Sequence, residues 1–302
     1  MAAGFAGLSR PREHRCANNL LRVRLVTFVV GSERPRVGSL DAEEVAELEA
    51  PDMLAWLRGE GHEESGRRHG IDDVRLLAPV PEPPSVRDFF AFEGHVATGW
   101  RLRGGEIPPA WYETPVFYFS NPASIHGPGE TVRRPAATQL LDFELEVAAV
   151  LGSEGEIAGF TLLNDWSARD VQRQEMTVGL GPAKGKDFAI SLGPWLVTPD
   201  ELPMRDGRLT VMATVTVNGE ELTRSDASEM HWTWDELVAH AGRDTRLRAG
   251  DIIGSGTLNR GCLLELGPRA GGPGVERFLE PGDVVEIAAD GLGVLRSEIA
   301  GG

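Results

Sequence analysis

Residues 140–152, LLDFELEVAAVLG, constrain the fold more than any other stretch of the chain. Leu, Val, Phe and Ala dominate them, and the pattern predicts a strand over residues 142–151. Successive side chains of a strand face opposite ways. Phe143, Leu145 and Val147 then share one face, and Asp142, Glu144, Glu146 and Ala148 share the other. Carboxylates two residues apart have roots about 7 Å apart and can converge on one point. Like charges that close repel unless a proton or a cation stands between them. By itself the Glu144–Glu146 pair fits two readings, a solvated strand face and a site for a hard cation such as Mg²⁺, Mn²⁺ or Ca²⁺.

The surrounding pattern is mostly strands separated by Gly and Pro turns. Further strands are expected at 116–120, 157–164, 191–198, 209–217, 251–254, 262–266 and 283–288. Helices are expected at 88–100, 167–174 and 234–241. Residues 20–80 read as a small N-terminal unit. LLRVRLVTFVV and PRVGSLD give two strands, and DDVRLLAPV gives a third. Val45, Leu48, Met53 and Leu57 have helical spacing, interrupted at Pro51. PVPEPPS, residues 79–85, admits no regular structure and marks the boundary to a second unit over 85–302. Residues 1–19 are expected to be a leader outside the fold, and RAGGPGVERF, residues 269–278, a glycine-rich loop. The class is therefore α+β, predominantly β. No GxGxxG opens a helix after a strand, so nothing points to a nucleotide fold.

The net charge of −16 argues against nucleic acid or an anionic membrane surface as a partner. No apolar run is long enough to span a membrane, and no signal peptide is evident. Cys16 and Cys262 are too few for a disulfide framework, which predicts a cytoplasmic protein. Cys262 reads as core, with no base evident near it. Of 30 basic residues only Lys184 and Lys186 are lysines, and both lie in GPAKGKDF. Lysine offers a compact, tunable ammonium that arginine does not.

More acids stand on apolar backgrounds. Asp165 ends the run FTLLND, where it suits either a helix N-cap or a metal ligand. Asp88 lies among Phe89, Phe90 and Phe92. His95 follows Asp88 by seven residues. On a helix that is two turns, which would put both on one face and make His95 a candidate general base.

RDFFAFEGH, DFELEVAAVLG, LLNDWSARDVQ, GPAKGKDFAISLGPW and GTLNRGCLLEL occur in this order. Together they resemble the fumarylacetoacetate hydrolase family from about residue 85 to residue 286. The resemblance implies a mixed β-sheet roll with a small N-terminal barrel-like domain packed against it. It implies a divalent cation, Mg²⁺ or alternatively Mn²⁺ or Ca²⁺, on Asp88, Glu144, Glu146 and Asp165. The family's catalytic histidine falls on His95 and its orienting glutamate on Glu265. Lys186, with Gln172 or a backbone N–H, falls where an oxyanion is held. Arg169, Gln172, Tyr118, Thr257 and Arg103 fall on substrate-contacting positions. Phe90 replaces a tyrosine of the founding enzyme, which weakens fumarylacetoacetate itself as the substrate.

The expected activity is hydrolysis of a C–C bond in a small anionic dicarbonyl, a β-diketo or 2-oxo acid, by His95-activated water. Decarboxylation or enol–keto isomerisation on the same scaffold, and a catalytically idle binding protein, are the alternatives. The resemblance also implies a homodimer. Plainer roles stand beside these. Arg169 could bridge to Asp170 or Glu175, Glu265 could be an outward strand residue, Tyr118 core, and Thr257 part of a turn. Lys184 is expected to face solvent.

Overall fold

The computed structural model describes residues 24–267 and 277–302. The expected leader, Cys16, residues 20–23 of the first strand and most of the loop at 269–278 lie outside them. From Arg24 the chain forms Arg24–Val29 (β1), Arg36–Asp41 (β2), Glu44–Leu48 (β3), the short helix Met53–Leu57 (α1), Glu64–Gly70 (β4) and Arg75–Leu76 (β5). After 79–85, which hold no helix or strand, come Val86–Phe89 (β6), Glu93–Leu102 (α2), Phe117–Ser120 (β7), Ile125–His126 (β8), Thr131–Arg133 (β9) and Leu141–Asp142 (β10). Leu145–Leu151 (β11), Ile157–Asp165 (β12), Ser167–Ala168 (β13), Arg169–Met176 (α3) and Ile190–Val197 (β14) follow. The remainder comprises Met204–Arg205 (β15), Arg208–Leu209 (β16), Met212–Val217 (β17), Glu220–Asp226 (β18), Trp234–Ala241 (α4), Ile252–Gly254 (β19), Leu263–Leu266 (α5), Val284–Ala289 (β20) and Gly293–Ala300 (β21).

One large mixed sheet runs β4-β3-β2-β1-β14-β12-β11-β19-β6-β7, so the N-terminal strands continue the sheet that carries the acids. A second sheet, β18-β17-β20-β21-β9, packs on it. Among the described residues neither sheet closes into a barrel, and the fold is a predominantly β α+β roll. Alternation along β11 explains its sequence. Leu145, Val147, Ala149 and Leu151 join the core between the two sheets, while Ala148 and Val150 join a second core against β1, β2 and α1. Both faces are buried, so Glu146 sits in the interior rather than on a wet face. Each buried Leu or Val contributes about 1.5–3 kcal/mol, which anchors the strand and fixes where Glu146 must point.

Five expectations need correction. The helical spacing around Val45 belongs to β3 and α1, not to one helix. Pairing with β2 and β4 holds 44–48 extended, and Asp52 caps α1 by accepting from the Ala55 N–H at 2.8 Å. Residues 74–80 form only the two-residue β5. Residues 262–266 are not a strand: they hold the single turn α5. Asp88 is not helical, because β6 is paired on both sides, by β19 and β7, and α2 starts only at Glu93. The two-turn spacing from Asp88 to His95 is thus not their geometry. Finally, the strand expected over 142–151 is interrupted at Phe143–Glu144.

Candidate metal centre and acid–base dyad

Three neighbouring strands of the large sheet bring two of the acids together. Asp88 on β6 lies opposite Gly254 on β19, and Gly254 lies opposite Ala148 on β11. A Cβ on Gly254 would overlap Asp88 Oδ1 and stand 3.3 Å from Glu146 Oε2. The missing side chain lets Asp88 and Glu146 converge over the middle strand. Asp165 arrives from the end of β12. Glu144, just before β11, is set by its N–H donating to Asn164 Oδ1 at 3.0 Å. Carboxylate oxygens of Asp88, Glu144, Glu146 and Asp165 all come within 4.8 Å of one another, and all four residues are buried.

The charges are incompletely balanced. Lys186 Nζ donates to Glu144 Oε2 and Asp165 Oδ2. Burial disfavours its charge, but Asp165 and Glu144 outweigh that and raise its pKa. Glu144 is also opposed by burial, yet Lys186 and then Arg169 hold its carboxyl well below the usual range. Asp88 goes the other way: burial first, then the Asp165 charge, pushes it well above the ordinary carboxylate range. Glu146 is likewise pushed well up, by burial and then by Asp88 and Asp165. Burial also raises Asp165, against Lys186.

Asp88 Oδ1, Glu146 Oε2 and Asp165 Oδ1 are buried and accept no hydrogen bond. Unpartnered buried oxygens are costly. Three of them, one each on Asp88, Glu146 and Asp165 in a cluster of four buried acids, fit a hard divalent cation, whose ligands are oxygen. The N-cap reading of Asp165 is not what forms. The residue before α3 is Ala168, and it makes no side-chain cap.

The other expected residues divide. Tyr118 Oη donates to Asp165 Oδ2 at 2.7 Å, and Thr257 Oγ1 to Glu146 Oε1 at 3.4 Å, so both border the cluster. Arg169 is buried. Its Nε donates to Asp142 Oδ2 at 2.8 Å, its Nη1 is 2.7 Å from Glu144 Oε1, and Gln172 Oε1 accepts from Nη1 at 3.2 Å. Arg103 is apart from this group. It ends α2 about 12 Å along the helix from His95, is exposed, and stacks its guanidinium 4.7 Å over the Trp100 ring. Lys184 is exposed and pairs with Asp187.

His95 and Glu265 meet across α2 and α5, with Nδ1 and Oε2 2.8 Å apart, both side chains buried. The Arg260 N–H donates to Glu265 Oε1 at 3.1 Å, and Asn259 Oδ1 accepts the His95 N–H at 3.2 Å. The expectation that Cys262 has no base near it is overturned, because its Sγ is 3.5 Å from Glu265 Oε2. One residue that connects the two halves was missed. Asp142 accepts from the N–H groups of Leu263 at 2.7 Å and Leu264 at 3.1 Å, capping α5, while it also holds Arg169. Its place two residues before Glu144 on the same alternation was the available signal.

The fumarylacetoacetate (FAA) hydrolase C-terminal family model matches residues 85–300, and an Rv2993c-like N-terminal model matches residues 23–79. Fumarylacetoacetase of Arabidopsis thaliana is 30% identical, over 73% of this chain and 68% of its own length. An oxaloacetate tautomerase of Bacillus subtilis is 28% identical, over 83% of this chain and 81% of its own. Among solved structures, the 5-carboxymethyl-2-hydroxymuconate delta-isomerase from Mycobacterium smegmatis superimposes with a TM-score of 0.70 at 27% identity, covering 92% of this chain and all of that one.

Proposed function

Because the chain belongs to the fumarylacetoacetate hydrolase family, we propose that it hydrolyses a C–C bond of a small anionic β-diketo or 2-oxo acid, with a divalent cation as cofactor. Residues 85–302 are read as the catalytic unit and 20–80 as a small unit added to it. Asp88, Glu144, Glu146 and Asp165 would hold the cation, with Mg²⁺, Mn²⁺ and Ca²⁺ all compatible with oxygen ligands. Once bound, such a cation supplies Lewis acidity to a chelated dicarbonyl.

The observation that carries the reading is the 2.8 Å pair His95 Nδ1–Glu265 Oε2. The carboxylate fixes the Nδ1–H tautomer and leaves Nε2 free to take a proton from water. Glu265 then stabilises the charged imidazole. The water oxygen adds to the acyl carbonyl, and Lys186 supplies a fixed positive charge for the oxyanion. The C–C bond breaks with its electron pair on the departing carbon, which takes a proton. An acylpyruvate and water thus give a carboxylic acid and a shorter 2-oxo acid. Arg169, although engaged by Asp142 and Glu144, carries an Nη2 with no hydrogen-bond partner. That group, Gln172, Tyr118 and Thr257 are the proposed substrate contacts; Arg103 would need its chain segment to fold inward.

A second reading is enol–keto tautomerisation or decarboxylation, in which the same base moves a proton to or from carbon and no water is added. The tautomerase relative supports it, since that protein aligns over 83% of this chain and 81% of its own length. The test is turnover of acylpyruvates, fumarylacetoacetate and 2-oxo diacids with and without Mg²⁺ or Mn²⁺, with products identified. Two shorter acids support hydrolysis; enol–keto exchange or CO₂ release with the carbon skeleton otherwise intact rejects it.

A further inference from the structure

Beside the dyad lies a donor of a different kind. Cys262 is fully buried, and its Sγ stands 3.5 Å from Glu265 Oε2 and 4.0 Å from His95 Nδ1. With Nδ1 and Oε2 2.8 Å apart, the three atoms form a closed triangle. Ligands of one tetrahedral Zn²⁺, with Zn–S about 2.3 Å and Zn–N or Zn–O about 2.0 Å, lie about 3.3–3.6 Å from each other. Shifts of about half an ångström bring the triangle to that geometry. Its donors are also unlike those of the four-carboxylate cluster. Imidazole with thiolate selects borderline-soft ions, whereas oxygen alone suits Mg²⁺, Mn²⁺ and Ca²⁺.

We propose that His95 Nδ1, Cys262 Sγ and Glu265 Oε2 form a second cation site, for an ion of Zn²⁺ type, and that filling it switches the enzyme off. On binding, the Cys262 thiol loses its proton to solvent, and the imidazole proton moves from Nδ1 to Nε2. One proton therefore leaves per ion, and Nε2 no longer has a lone pair for a water proton. Three protein ligands leave a fourth position open to solvent or substrate. The inhibition rests on His95 being the base, as proposed above; the binding does not.

The test uses full-length protein carrying Cys16→Ser and saturated with Mg²⁺. Only Cys262 can then give a thiolate signal. One equivalent of Co²⁺ is expected to produce a thiolate-to-metal charge-transfer band that Zn²⁺ abolishes, with one proton released per ion by calorimetry in buffers of different ionisation enthalpy. Zn²⁺ is expected to inhibit at the same stoichiometry. Cys262→Ser should lose the band, and its Zn²⁺ affinity and inhibition, measured against its own uninhibited rate, should fall about tenfold or more. A stoichiometric Co²⁺ complex without the band overturns the proposal. So does inhibition that excess Mg²⁺ relieves and that Cys262→Ser leaves unchanged, because Zn²⁺ would then sit on the carboxylates. If Cys262→Ser does not fold, the band and the proton count in the Cys16→Ser protein decide. If no substrate turns over, the dyad's catalytic role fails while the band still reports the site.

Discussion

Arg169 Nη1 lies 2.7 Å from Glu144 Oε1. The same guanidinium is bound through Nε to Asp142, whose carboxylate caps α5, the turn that carries Glu265. One buried arginine thereby connects a proposed cation ligand to the proposed orienting glutamate. Removing one partner of such a buried pair leaves charge uncompensated.

Asp142→Asn is expected to lower stability by about 2–4 kcal/mol, because Arg169 keeps Glu144 as its one carboxylate partner, beside the neutral Gln172, and α5 loses its charged cap. Turnover should fall further than the unfolded fraction accounts for, since Glu265 loses its fixed position. Urea unfolding and kcat on the same preparation check this; an unchanged kcat in folded protein would reject the coupling.

His95→Ala is expected to reduce kcat about 10²–10⁴-fold while Mg²⁺ affinity stays within about threefold of wild type. Glu265→Gln should fall in the same range, with KM little changed, because it acts through the imidazole. Parallel loss of metal binding in either variant would mean that dyad and cluster are not separate.

Chelation is expected to lower the Tm, and Mg²⁺ at a hundred times its Kd to restore about 2.7 kcal/mol of stability. Glu146→Gln should abolish most of that gain, since Glu146 brings an oxygen with no protein partner. Differential scanning calorimetry across Mg²⁺ concentrations tests both.

Gly254→Ala should leave secondary structure intact yet weaken Mg²⁺ binding about tenfold or more, because the added methyl occupies space that Asp88 Oδ1 now fills. Calorimetric affinity near wild type would show that the strand shifts to absorb the methyl.

Glu47 gives a pH-dependent prediction away from the site. Arg67, then Arg36, hold its carboxyl down at about 2, against burial. A carboxylate whose folded pKa is depressed stabilises fully above its unfolded pKa, near 4.5, and loses that contribution as pH falls towards 2. Arg67 is 59% exposed, so solvent screening limits the contribution to about 1–2 kcal/mol. Glu47→Gln should cost this amount at pH 7, and the gap to wild type in urea midpoint should close between pH 4.5 and 2.

The alternation along β11 was legible in the sequence, because buried apolar residues leave an intervening glutamate only one face to occupy. The meeting of Asp88 with Glu146 was not. It needs β19 between them and a glycine at its end, and strand order is set by long-range pairing that local pattern does not encode. The isolated Gly254 in a strand pattern was a cue, since such glycines often mark close approach. His95 was found for the wrong geometric reason: two-turn helical spacing from Asp88 does not exist, and the histidine meets Glu265 through the turn α5. Four residues bearing three leucines read equally well as strand or helix. Asp142, which caps that turn, decides for the helix.

The pairing of β1 with β14 has a practical side. Arg24 and Leu25 cover the flank of the strand opposite Val197 and Leu196. Excising residues 85–302 would strip that flank and bare Leu192, Leu196 and Val150 together. Such a fragment would present an uncovered, greasy ribbon edge, the kind that recruits other chains. Whoever trims this protein for crystals or screening should keep the first three strands attached.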